Sequence, residues 1–313
     1  MSSELRVSAL YVYPIKSCKG VAVERTAVVD TGLLWDRKFV VVEEQSGRFF
    51  TQRTHPQMCL IGVEMPPESW DPDWEPLSGT QMTCTFPGLD PVAVPLDLPE
   101  PATVAANTRH VTVWEFSGPA LDMGDAAAEF FSQALGAPAR LVRHLDDASR
   151  RPCEEEFAPG HVTAFSDGFP VLVASDASLA QLNSELPAGA PRMDAARFRP
   201  NLLVSGCPPY DEDNWATVTC TPPAVHRGAP GECTLRVVKP CSRCTVPQVD
   251  QATGERSTEP APTLRRTRAG KLLPLGEGRP SWSGKTFWGW NCVRASGGTR
   301  TVAVGDVVSV ARR

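Results

Sequence analysis

Nowhere does the chain contain an apolar run long enough to cross a bilayer, and the residues after Met1, SSELRVSALYVYPIKS, have no basic start. The expectation is a cytoplasmic protein with neither signal peptide nor transmembrane anchor. Concentrated positive charge is also missing. Lys and Arg number 31 against 36 Asp and Glu, a net charge of -5. That balance excludes nucleic acid as a main partner, because neutralising phosphates takes a clustered cationic face. No G-x-G-x-x-G fingerprint or flavin signature is present, so the chain is expected to have no electron input of its own. Fixed-period repeats and low-complexity tracts are absent too. The five histidines are scattered, and the ten cysteines form a single C-x-x-C pair. With no signal peptide expected, cysteines in a chain of this size are expected to be mostly buried, reduced thiols.

The residues that are present favour β-structure. Pro 30 and Gly 24 suit turns better than long helices, and 313 residues exceed what one compact domain needs. RVSALYVYP, VAVERTAVVD, RKFVVVEE, QMTCTF, VAVPLDL and HVTVWEF have the composition of strands. Ser46-Gly47 supplies a hairpin turn in EEQSGRFFT. NLLVSG, ATVTC, CTLRVVKP, TRTVAV and DVVSVARR continue the pattern toward the C-terminus. This spacing predicts a barrel or sandwich rather than alternating βαβ units. Two helices interrupt it. Ala127, Phe130, Phe131, Ala134 and Leu135 share one face of GDAAAEFFSQALG, stopped by Gly136. Leu179, Leu182 and Leu186 share a face of SDASLAQLNSELP, ended by Pro187. The polar stretch from Asp146 to Gly160 has no hydrophobic period and is expected to be a loop at a domain boundary. The predicted class is mainly β with a few helices.

Chemistry concentrates in KPCSRCTVPQVDQATGE, from Lys239 to Glu255. A structural zinc site needs four ligands, and CSRC has neither a second pair nor a nearby histidine. A thioredoxin-like dithiol needs a helix N-terminus after the strand, whereas TVPQVDQATGE reads as a turn. The third reading is one thiolate on a soft, high-valent metal whose other ligands come from a cofactor. Arg243 beside Cys244, with Arg37 in WDRKF and Arg199 in RFRPN, would suit an anionic, phosphate-bearing cofactor.

Seven segments, in order, resemble MOSC proteins of the amidoxime-reducing component branch: YPIKSCKG, WDRKFVVV, SDGFPVLVASDASLAQLN, RFRPNLLVSG, DEDNW, CSRCTVPQVDQATGE and GKTFWGWN. The PQVDQATG segment looks more like plant, algal or fungal members than vertebrate ones. The resemblance implies an N-terminal β-barrel-like domain over 1–145 and a MOSC β-barrel domain over 146–313, with a molybdenum–molybdopterin cofactor between them. It assigns Cys244 as the molybdenum ligand and catalytic residue. Lys16, Ser17, Arg37, Arg199 and Asn201 match cofactor contacts. Ser242 and Arg243 flank the ligand, and Arg243 would favour the Cys244 thiolate. Ser166, Asp167, Gly168 and Phe169 match a pocket-lining loop, and Gly289 and Asn291 the last cofactor-side segment. The implied activity is reduction of N-hydroxylated compounds, with nitrite reduction to nitric oxide as a further activity. The implied donor is a cytochrome b5-type haem protein with an NADH-dependent flavin reductase, or nitrate reductase. The alternative is a cofactor carrier or sulfur-transfer protein without turnover. No cysteines after Cys244 have the spacing of a ferredoxin cluster.

Read locally, several of these residues have plainer roles. Lys16 and Ser17 would end a strand in a solvated turn, and Asp36–Arg37 would be a surface ion pair of little worth. Asp250 and Gly254 would shape a turn. DEDNW, from Asp211 to Trp215, would be an exposed acidic loop or a docking patch for a basic donor. Cys18 and Cys241 are expected to be spectators.

Overall fold

The computed structural model describes residues 4–223, 231–295 and 299–313. Its main element is a closed barrel of seven strands. In spatial order these are Arg6–Val12, Leu202–Ser205, Val171–Ser175, Phe287–Arg294, Cys233–Ser242, Trp215–Thr221 and Val307–Arg312, which returns to Arg6–Val12. Closure gives each of the seven strands two neighbours, though the last joins the first only at Val307–Arg6. The first strand of the chain thus completes a barrel otherwise built from residues beyond 170. Along Cys233–Ser242, Cys233, Leu235 and Val237 alternate into the core, the period of two that a pleated strand imposes. Val171–Ser175 is buried at every position and shows no alternation, so its sequence does not look like a half-exposed strand. It runs parallel to Leu202–Ser205, and the helix Asp176–Glu185 makes the crossover.

The first half of the chain adds a four-stranded sheet, in the order Phe39–Glu43, Ala139–Arg143, Phe116–Asp122 and Thr108–Val113, and a three-stranded sheet over Gly62–Pro95. Helix Asp125–Leu135 buries Ala127, Phe130, Phe131, Ala134 and Leu135, the face expected from its periodicity. Gly136 closes it at φ 67°, a left-handed conformation suited to glycine. Among the described residues no helix is long and apolar enough to cross a membrane.

Three local expectations are corrected. HVTVWEF is not one strand: Trp114, at φ 56°, turns the chain between two. VAVERTAVVD is split at Glu24, so Val21–Val23 joins the barrel sheet while Arg25–Val29 pairs elsewhere. Within 146–160, Arg151–Pro152 pairs with Val162–Thr163 and Arg151 is buried. A two-residue strand is too short to leave a hydrophobic period.

DEDNW is no exposed docking patch. Glu212 is buried and accepts a hydrogen bond from Ser175, Asp211 pairs with Arg312, and Asp213 with Arg268. Asp213 also accepts the Trp290 indole N–H at 2.8 Å. These carboxylates fasten the barrel internally.

Candidate active-site cavity

Twelve of the fourteen residues singled out in the sequence line one cavity. Its backbone is held in uncommon conformations. Of six non-glycine residues with positive φ among the described residues, Ser17 (69°), Arg37 (47°), Trp114 (56°) and Arg199 (58°) all line it. Each such residue costs about 1–3 kcal/mol and persists only where its surroundings hold it. The Arg37 N–H donates to the Tyr13 carbonyl at 2.7 Å, and the Arg199 N–H to that of Ala195 at 3.1 Å. Strain of this kind, gathered at one cavity, is characteristic of functional sites.

Arg37 and Arg199 both lie over the Tyr13 ring, 4.3 and 4.2 Å from its centroid. Burial, aided by neighbouring Arg37, lowers the Arg199 pKa to about 10. The buried Asp36 carboxylate holds Arg37 at 2.6 Å, and Asn201 joins them: its Oδ1 accepts from Arg37 at 3.2 Å, and its Nδ2 donates to Asp36 at 3.0 Å. Asn201 also accepts the Leu172 N–H and donates to the Tyr11 carbonyl, so it positions Arg37 with all its groups engaged. The Asp36–Arg37 pair is therefore buried, not superficial. By contrast, Arg199 Nη2, Ser166 Oγ and Arg243 Nε are buried at the cavity without hydrogen-bond partners. Buried donors left unmade cost about 1–3 kcal/mol each. Three of them around one space describe a site shaped for an acceptor-rich, anionic ligand.

On another wall, Lys16 Nζ meets Asp167 at 2.6 Å, and the Trp114 indole N–H donates to the same carboxylate at 3.2 Å. The Asp167 side chain is largely exposed, and Lys16 and Trp114 hold its carboxyl well below the usual range. Burial lowers Lys16 to about 8, with Asp167 opposing. The cation is therefore present below about pH 8 and lost above it. Because the unfolded lysine titrates at 10.5, the stability attributable to this group falls as pH drops from 10.5 to about 8 and is constant below. In ¹³C-lysine spectra, a resonance missing from Lys16→Arg is expected to titrate near pH 8. Titration of that resonance near 10.5 would rule out a desolvated Lys16.

Arg151 positions this wall through hydrogen bonds from its guanidinium to the carbonyls of Ala164, Ser166 and Asp167. Sequence reasoning missed it, as it did Arg53, which covers the Trp114 ring at 4.3 Å. Neither lies in a motif. Phe169 and Gly168 follow Asp167 along the lining, and Asn291 reaches the cavity from Phe287–Arg294.

The third wall is CSRC. Cys244 lies beyond the end of the strand Cys233–Ser242 and is partly exposed, and its Sγ accepts the Val246 N–H at 3.5 Å. The chain after it is anchored twice. Fully buried Arg197 pairs with Asp250, and Gln52 exchanges amide hydrogen bonds with Gln251 while donating to the Ser17 carbonyl at 2.6 Å. Asp250 thus anchors as well as turns. Three of the assigned residues are placed differently from the rest. Ser242 is exposed and off the cavity, at a point where a register shift between Pro240 and Ser242 breaks the strand's alternation. Gly289 also lies off the lining; at φ 73°, a side chain there would meet the Val173 carbonyl at 3.1 Å, so this glycine serves strand packing. Arg243 aims Nη1 at Cys241 Sγ (3.0 Å) and Nη2 at the Phe198 carbonyl (2.9 Å), not at Cys244. Cys241 also lines the cavity.

Among the described residues no three His, Cys, Asp or Glu side chains converge to hold a metal. A metal on Cys244 would therefore lack a set of three such protein ligands among the described residues.

Residues 4–138 match the MOSC N-terminal beta barrel domain, and residues 160–309 the MOSC domain. The chain is 33% identical to human mitochondrial amidoxime-reducing component 1, covering 84% of this chain and 72% of that protein. It is 28% identical to the molybdenum cofactor sulfurase of Oryza sativa subsp. japonica, over 87% of this chain but 32% of the sulfurase. Among solved structures, the YUAD protein of Bacillus subtilis aligns over 99% of this chain and 97% of its own at 11% identity, with a TM-score of 0.37.

Proposed function

The chain belongs to the MOSC-domain family, and from that premise we propose that it binds a molybdenum–molybdopterin cofactor and reduces N-hydroxylated compounds such as amidoximes, hydroxylamines and N-hydroxylated bases. The observation that carries this reading is that Cys244, a part-exposed sulfur that accepts no side-chain hydrogen bond, shares one cavity with three unpartnered buried donors. That donor set fits the cofactor: a thiolate for the metal, and cationic and hydroxyl groups for phosphate and pterin oxygens. When bound, the cofactor supplies the remaining metal ligands and the two-electron chemistry that removes the substrate's oxygen as water.

The residues supply binding and orientation. Cys244 holds the metal. Arg199 and Ser166 donate to the anionic part, and Lys16 adds charge below about pH 8. Asp36 and Asn201 keep Arg37 in place through the bonds described above. Arg197 and Gln52 fix the segment that carries Cys244. Electrons come from an external donor, a cytochrome b5-type haem protein with its flavin reductase, or nitrate reductase; nitrite is a further substrate.

The similarity to a molybdenum cofactor sulfurase over 87% of the chain supports a second reading, a cofactor carrier or sulfur-transfer protein. Turnover separates the two. Cofactor-loaded protein given cytochrome b5, its reductase and NADH is expected to convert benzamidoxime to benzamidine over many cycles per chain. No conversion beyond one equivalent, by protein shown to contain molybdenum, would favour the carrier.

A further inference from the structure

The turn that places Arg37 in the cofactor cavity also lines a second space. Trp35 and Lys38 face a cleft of about 1250 Å³, at the large end for small-molecule sites. Much of its wall is apolar, including Val29, Leu34, Val104 and Val162, and Leu98, 54% exposed, stands among the lining residues. Isolated exposed leucines are ordinary; one beside a large cleft adds to its apolar wall.

Arg143 gives this cleft its chemistry. Its guanidinium lies 5.3 Å from the Trp35 ring centroid and 5.9 Å from that of Phe39. Its Nη1 donates to the Leu96 carbonyl at 2.5 Å, and among the described residues no carboxylate forms an ion pair with it. Lys38, by contrast, is held by Asp146. Burial lowers the Arg143 pKa to about 10, while more distant Asp146 and Asp97 oppose. Arg143 is half-buried, and its guanidinium has one carbonyl acceptor and, among the described residues, no ion-pair partner, which leaves it free to take a carboxylate from the cleft. Beside it, the Trp35 indole N–H is buried without a partner, in a residue only 6% exposed.

We propose that the cleft is a second ligand site, separate from the cofactor cavity, for a singly charged amphipathic carboxylate. The carboxylate takes the guanidinium fork of Arg143, whose geometry suits two parallel bonds, and accepts the Trp35 N–H. The apolar body lies along Val29, Leu34 and Val104. A multiply charged phosphate fits poorly, because the groups lining the cleft balance at four cations against four carboxylates.

The test is calorimetric titration of the full chain with octanoate, 1-octanol and inorganic phosphate, with tryptophan fluorescence read in parallel. Octanoate is expected to bind at least tenfold more tightly than either other probe. Arg143→Met should weaken it about tenfold, the scale of one charge-assisted bond. Trp35→Phe should weaken it severalfold and remove the fluorescence change. Equal binding of octanol and octanoate, or of octanoate to native protein and Arg143→Met, would overturn the proposal. If Arg143→Met does not fold, the octanoate-to-octanol ratio and Trp35→Phe decide. All these readouts are independent of molybdenum.

Discussion

Replacing Cys244 by serine is expected to remove or alter the metal while the pterin stays. In protein from a cofactor-competent host, molybdenum per chain should fall sharply and oxidised-pterin fluorescence should remain near the native level. The walls supply the reason. The unpartnered donors of Arg199, Ser166 and Arg243 do not depend on the sulfur, and the sulfur itself makes one weak bond, from Val246 at 3.5 Å. Reduction of benzamidoxime should drop by more than the roughly 10–100-fold typical of losing an outer-shell partner. Stability should change by less than about 1 kcal/mol, because Cys244 is partly exposed and outside the core. A variant with native molybdenum content and an unchanged metal spectrum would remove Cys244 as ligand. Native protein with neither metal nor pterin would end the cofactor reading altogether.

Asp36→Ala is expected to be the most destabilising single change at the site, by about 3–5 kcal/mol, the range for removing one partner of a buried ion pair. The Asp36 side chain has no exposed surface. Oδ1 accepts the Tyr13 N–H at 2.9 Å and the Asn201 amide at 3.0 Å, and Oδ2 accepts Arg37 at 2.6 Å. Its removal strands a guanidinium that is 12% exposed and already shares the Tyr13 ring with Arg199. Asp36→Asn keeps acceptors but not charge and should lose less. Urea unfolding of the cofactor-free chain provides the measurement. A loss below about 1 kcal/mol for Asp36→Ala would mean that the pair is no more than the surface contact its sequence suggests.

Legibility differed by kind of feature. Helix Asp125–Leu135 was readable because its buried face repeats every 3.6 residues and a glycine ends it. Strands such as Phe39–Glu43 showed through their Val and Phe content even where no face alternates. Val171–Ser175 is likewise buried throughout, and was legible only as part of a longer motif. At the site, motif residues were found and their supports were not. Arg53 and Gln52 act across large sequence separations, as Gln52 does on Gln251, and Arg151 bonds to carbonyls 13 to 16 positions on; no motif spacing encodes such partnerships. Arg243 was identified but its aim was misjudged: adjacency to Cys244 suggested contact, whereas the chain's turn after Ser242 sends the guanidinium to Cys241.

By itself, the sequence determined the β-rich class, the order of the motifs and the single C-x-x-C pair, because periodicity and residue type are local properties. Tertiary structure decided what those residues face. Barrel closure brings Lys16 within 2.6 Å of Asp167, 151 positions away. It also buries Asp36 and the DEDNW carboxylates, which charge alone would place in water. Burial and pairing depend on distances across the fold, and those distances set which charges attract a ligand and which only hold the protein together.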